Sequence, residues 1–178
     1  EACCARWARD TPQAVAIRYE HENGSAALFS YADLQHNVNR LANALRRLGV
    51  RRGDRVAVVM PQRFETAVAD LAVWQLGAVA MPLSMLFGPD ALEYRLNHAE
   101  AALAIVDESA ITNLRSARST CPGLRTVIAV GDGRAVAGHL EHVAGTDPMA
   151  LADAGGVDDA AAAGREVGSA RAGQAEQP

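Results

Sequence analysis

Between Val56 and Val130, short β-branched runs alternate with amphipathic stretches, and this alternation narrows the choice of fold more than any other feature. Val56-Ala57-Val58-Val59-Met60 is apolar at every position, as a strand buried on both faces must be. Pro61 closes it. The pattern returns at Ala78 to Met81, ended by Pro82, at Leu103-Ala104-Ile105-Val106, and at Thr126-Val127-Ile128-Ala129-Val130. Helical segments fill the gaps. Arg63 to Leu76 is closed by Gly77. Pro89 takes a first helical position, where its missing N–H costs nothing, and opens a helix to about His98. Glu108 to Arg118 is broken before Pro122. Strands joined by single helices form right-handed crossovers and a sheet covered on both faces. The predicted fold is α/β: an open, mostly parallel sheet with flanking helices.

A lead-in helix and a β-hairpin precede that sheet. Ala14 to Tyr19 and Ala26 to Tyr31 are short apolar runs, and Asn23-Gly24 between them tolerates the positive φ of a tight turn. Ser30 and Asp33 then have the spacing of a capping box. Leu34, Val38, Leu41, Leu45 and Leu48 follow at spacings of four and three, one apolar stripe of a helix. Arg46 and Arg47 suit its C-terminal dipole, and Gly49 can close it.

Composition removes several functions. All 17 basic residues are arginine, so the chain holds no amine for a Schiff base, a lysine general base or a P-loop. The net charge of -4 argues against a nucleic-acid partner. No apolar run reaches the roughly 18 residues of a membrane span. Cys3, Cys4 and Cys121 match neither a disulfide framework nor a zinc site, and the cytoplasm is the expected compartment. After Tyr94 no aromatic occurs, and from Ala150 the chain is mostly Ala, Gly, Asp and Glu. Residues 150–178 are expected to be a disordered Ala/Gly-rich tail, too poor in large apolar residues to offset ordering entropy.

Each candidate site has a plainer reading. Gly131-Asp132-Gly133 follows a predicted strand, where a dinucleotide turn would sit. Its third glycine would fall at Val136, so an ordinary turn explains it better. His139 and His142 could share a helix face and a metal, yet two surface histidines need no ligand. His98 suits a helix C-terminus. Asp158-Asp159 reads as tail acidity. No Gly-x-Ser-x-Gly elbow is present.

The order of the motifs carries more than any one of them. Leu28-Phe29-Ser30-Tyr31-Ala32-Asp33-Leu34 leads into Leu48-Gly49-Val50 and Gly53-Asp54-Arg55-Val56-Ala57. Trp74-Gln75-Leu76-Gly77-Ala78-Val79-Ala80-Met81-Pro82-Leu83 comes next, then Phe87-Gly88-Pro89-Asp90-Ala91-Leu92 and Ala104-Ile105-Val106-Asp107. This series resembles the opening of the AMP-forming adenylating enzymes, and within them the acetate and medium-chain acyl-CoA ligases.

The resemblance implies the N-terminal subdomain of an adenylate-forming enzyme over residues 1–149, ending before the family's phosphate loop. It implies ATP, coenzyme A and Mg2+ as cofactors, and a small carboxylic acid as substrate, for the full-length enzyme. The loop's Thr-Ser-Gly-Thr-Thr-Gly and its Pro-Lys-Gly are both missing, so no catalytic, cofactor-binding or metal residue is assigned, and no cofactor is expected on this chain alone. Arg115 and Arg118 lie near the segment that holds coenzyme A in some relatives, but without the family's Gly-Arg match they read as solvated helix arginines. A frameshift or early stop in a GC-rich gene would produce such a tail. The sheet is expected to leave an apolar face for the missing remainder, so that the chain folds poorly alone. The alternative is a stand-alone binding or interaction module that kept the fold without the chemistry.

Overall fold

A computed structural model of the chain describes residues 4–20 and 23–131. A short helix α1 (Ala5–Asp10) leads into an antiparallel hairpin, β1 (Val15–Glu20) and β2 (Ala26–Ser30). Gly24 takes φ +80° in its turn, where the Asn23 side chain accepts from the Ser25 amide at 2.9 Å. Helix α2 (Tyr31–Arg47) begins without a gap. The Asp33 amide donates to Ser30 Oγ at 3.1 Å and the Ser30 amide donates to Asp33 Oδ2 at 3.0 Å, the reciprocal box the spacing implies. Hydrogen bonds from the Ser30 side chain, then from its backbone, then the charge of His36, hold the Asp33 carboxyl below its ordinary value. A folded carboxylate held low adds stability above the ordinary value of 3.8, and that stability is lost as pH falls below it. Ser30→Ala should lower stability by about 1 kcal/mol. In urea melts at falling pH, the gap between wild type and variant should narrow but not close, because the Ser30 Oγ cap on the Asp33 amide does not titrate; a constant gap would count against the Asp33 linkage.

The main sheet has four parallel strands in the order β4-β3-β5-β6. These are β3 (Arg55–Val59), β4 (Val79–Pro82), β5 (Leu103–Asp107) and β6 (Thr126–Val130). The connecting helices are α3 (Phe64–Gln75), α4 (Pro89–His98) and α5 (Ile111–Arg118). Chain direction reverses at β3, because β4 lies on one side of it and β5 on the other. Right-handed crossovers then require the helices to change face. They do: α2 and α3 pack with Val56, Val58, Leu103 and Ile105, while α4 and α5 pack with Ala57, Val59, Ala104 and Val106.

Three details depart from the sequence reading. Pro82 is the last residue of β4 rather than the residue after it, which an edge strand tolerates because one ladder side is open. The segment from Glu108 opens as a 3-10 turn over Glu108–Ala110, because Asp107 accepts from the Ser109 amide at 3.0 Å and caps it. The expected bare face of the sheet is absent among the described residues. Both faces carry helices supplied by the chain itself, and β5 is buried along its whole length. Cys3, Asp132-Gly133, His139, His142, Asp158, Asp159 and the tail at 150–178 lie outside the described residues.

Candidate functional site at the carboxyl ends of the strands

In an open parallel sheet the crevice for ligands lies at the carboxyl ends of the strands, where chain direction reverses. Here that point lies between β3 and β5. Asp107 ends β5 and is the one charged residue in the buried class among the described residues, 7% exposed. Arg63 leaves β3 and starts α3. Parallel pairing of Val59 with Val106 brings the two exits side by side. Arg63 Nη1 donates to Asp107 Oδ2 at 3.1 Å, and Arg63 Nε donates to Glu65 Oε2 at 2.8 Å. Asp107 Oδ1 accepts from Ser109 Oγ at 2.6 Å as well as from its amide. Thr66 Oγ1 fastens the same turn by donating to the Pro61 carbonyl.

One rim residue explains the glycine at 131. A Cβ built there would fall onto the Glu108 carboxylate. Gly131 permits this close approach without an unusual φ, and a Cβ there would force the Glu108 side chain to shift. The first glycine of Gly131-Asp132-Gly133 therefore faces an anion, the opposite of what a pyrophosphate requires.

The chemistry of this rim is limited. Two carboxylates, Glu65 and Asp107, take the Arg63 guanidinium, and Glu108, next to Asp107 in the chain, adds a third negative charge at the β5 exit. Such a rim repels a polyphosphate, so the residues present do not fit ATP. Ser109 donates to a carboxylate, but no histidine stands beside it among the described residues, so it lacks a general base. No group of three His, Cys, Asp or Glu side chains among the described residues could hold a metal ion.

The residues singled out from sequence lie elsewhere. Arg115 and Arg118 sit in the last turn of α5, which runs back from the rim for about 12 Å at 1.5 Å per residue. Both are half-buried rather than solvated, because α5 packs its flank against the sheet. Arg118 Nη1 donates to the Cys121 carbonyl at 3.4 Å. His98 is in the last turn of α4, as expected, and stacks on Tyr94 with ring centroids 5.6 Å apart. Cys4 and Cys121 are buried; burial, and then the charge of Glu93, push the Cys121 thiol up, which leaves it protonated and unreactive. The Arg63–Asp107 pair has no local signature, since its members are 44 residues apart.

Comparison with known proteins covers the same ground. A family model described as AMP-binding enzyme matches residues 4–163. The acetyl-coenzyme A synthetase of Streptomyces coelicolor is 44% identical over 91 residues, which is 51% of this chain and 14% of that protein. The acetyl-coenzyme A synthetase of Magnetococcus marinus is 35% identical over 140 residues, 73% of this chain and 22% of that protein. The crystal structure of Brucella canis acyl-CoA synthetase superposes with a TM-score of 0.69 at 25% identity, over 85% of this chain and 26% of that one. The chain thus spans less than a quarter of the length of either acetyl-coenzyme A synthetase. With most of its residues inside the matched span and its sheet reproduced in a solved relative, the chain belongs to the AMP-binding enzyme family.

Proposed function

We propose that this chain is the N-terminal scaffold of an ATP-dependent carboxylic acid–CoA ligase, and that the chain alone does not catalyse the reaction. The family match over residues 4–163 carries the reading. In the complete enzyme a carboxylate would attack the α-phosphorus of ATP to give an acyl-adenylate and pyrophosphate. Coenzyme A thiol would then displace AMP. Both steps gather negative charge, which cations and backbone donors must offset. The rim built by Arg63, Glu65, Asp107 and Glu108 supplies the reverse balance. The residues present act as scaffold: Ser30 caps α2, Gly77 turns α3 into β4 at φ +70°, and Asp107 ties two strand exits together.

Residues 1–149 carry the scaffold in this reading, with ATP, coenzyme A and Mg2+ held by the part that completes the domain. A small carboxylic acid is the substrate class, as the names of the acetyl-coenzyme A synthetases suggest. The cytoplasm is the assigned compartment, supported by the buried Cys121 thiol. No helix among the described residues is long and apolar enough to cross a membrane.

ATP–pyrophosphate exchange tests the reading. The purified chain should show no acid-dependent exchange with acetate, propionate or a medium-chain acid; clear exchange would refute its inactivity. A stand-alone binding module is the second reading, favoured by the helices that cover both sheet faces. It predicts saturable binding of an acyl-CoA or a protein by the chain alone, read by calorimetry.

A further inference from the structure

Charge divides the sheet by its ends. Glu65, Asp107 and Glu108 lie at the carboxyl ends of the strands. The amino ends, and the loops that lead into them, carry the reverse sign. Arg46 and Arg47 close α2, Arg51 and Arg52 lie in the turn into β3, Arg55 opens β3, and Arg125 precedes β6. All but Arg55 are exposed. Only Asp54 and Glu100 oppose them in these loops. Asp54 is occupied: its Oδ2 accepts from the Arg51 amide at 2.9 Å and lies 3.6 Å from Arg125 Nη2. Glu100 Oε2 accepts from Arg55 Nη2 at 2.8 Å. Six arginines and two carboxylates leave an excess of four positive charges at one end of a chain whose net charge is -4.

Part of this charge has a structural cause. Arg46 and Arg47 complement the dipole of α2, and Arg46 Nη2 donates to the neutral Asn43 Oδ1 at 3.0 Å. That cause does not extend to the turn. Arg51 and Arg52 belong to no helix, and neither guanidinium has a partner among the described residues. The stem of Arg52 packs over Gly77, just before β4, which fixes where its charge is presented.

The charge is spread over a face and lines no cleft. Arg52 stands beside the β4 edge of the sheet and Arg125 at the β6 edge, three strand spacings or about 14 Å away. A strand-adding peptide would pair along an edge strand and not across the strand ends. A single-stranded nucleic acid needs aromatic rings to stack on, and residues 48–54, 76–78, 99–102 and 119–125 hold none. A plane of lipid phosphates needs only spread cations, and guanidinium groups bind phosphate oxygens in pairs. The acidic end does not cancel the attraction. Strands of five residues hold the two ends about 16 Å apart, twice the screening length of about 8 Å.

We propose that the amino-end face of the sheet, centred on Arg51 and Arg52, is a docking surface for a negatively charged phospholipid bilayer. The contact is peripheral and electrostatic, and no apolar segment enters the bilayer. It turns the carboxyl ends of the strands toward solution. It does not depend on the ligase reading.

Vesicle sedimentation tests it. The full chain is mixed with vesicles of phosphatidylcholine, alone or with about one-third phosphatidylserine, at about 0.05 M salt. It should sediment with the phosphatidylserine vesicles only, and about 0.5 M salt should release it. Arg51→Gln/Arg52→Gln should weaken that binding at least about tenfold. Arg6→Gln/Arg9→Gln removes the same charge from α1, whose Trp7 stacks on Tyr31 at the other end of α2, and should bind as the wild type does. Circular dichroism checks that each variant folds; if Arg51→Gln/Arg52→Gln does not, Arg46→Gln/Arg125→Gln takes its place with the same loss expected. Sedimentation with neither vesicle, equal sedimentation with both, or equal losses in the tested pair and the α1 pair would overturn the proposal. So would tighter binding to polyuridylate or polyglutamate that depends on Arg51 and Arg52, which would make a nucleic acid or an acidic protein the occupant.

Discussion

Asp107→Ala should lower the unfolding free energy of the chain by about 2–3 kcal/mol, seen as a lower urea midpoint at unchanged m-value. The side chain is 7% exposed and makes three hydrogen bonds. Its removal leaves the Arg63 guanidinium, whose side chain is 27% exposed, with Glu65 alone and uncaps the 3-10 turn at Ser109. Losing one member of a buried pair costs about 3–5 kcal/mol, and the partial exposure of Arg63 reduces that figure. Arg63→Met should cost less, because Asp107 keeps Ser109. The double variant Arg63→Met/Asp107→Leu should recover much of the loss, since an apolar pair of similar volume replaces the buried ions and Glu65, its side chain 35% exposed, can turn to water. A loss under about 1 kcal/mol for Asp107→Ala would place the contact among ordinary surface pairs.

That pair marks the boundary of what the sequence discloses. Local signals predicted the elements well. The apolar run at Val56, the cap at Ser30 and Pro89 at a first helical position each act within about four residues, and each is where the spacing puts it. Strand order is also nearly implied, because right-handed crossovers leave few arrangements. The rim is a different matter. Arg63 meets Asp107 only through the register of two parallel strands, and Glu108 meets Gly131 only through the pairing of β5 with β6. Neither contact follows from residue type or local spacing. The covered sheet shows the converse limit. The family resemblance implies a bare face on the sheet, whereas the exposed apolar surface lies one layer out, on α3 at Trp74. A helix that is apolar all round can cover a sheet and still need a cover itself.

Ile105→Ala and Leu96→Ala should each cost about 3–4 kcal/mol, and together they test whether the two faces of the sheet unfold as one. Ile105 is 1% exposed in the core shared with α2 and α3; Leu96 is 2% exposed in the core shared with α4 and α5. Side chains alternate along β5, so Leu103 and Ile105 belong to the first core while Ala104 and Val106 belong to the second. Loosening either core releases the same strand, and the loss should spread to both. Trp7 and Trp74 lie on α1 and α3, on the Ile105 side, whereas circular dichroism reports every helix. Leu96→Ala should therefore move the tryptophan transition and the circular dichroism transition by the same amount, about 10 °C. If Leu96→Ala shifts only part of the circular dichroism signal and leaves the tryptophan transition in place, the faces are separate units. Coincident shifts mean that this portion of the family fold is a folding unit in its own right.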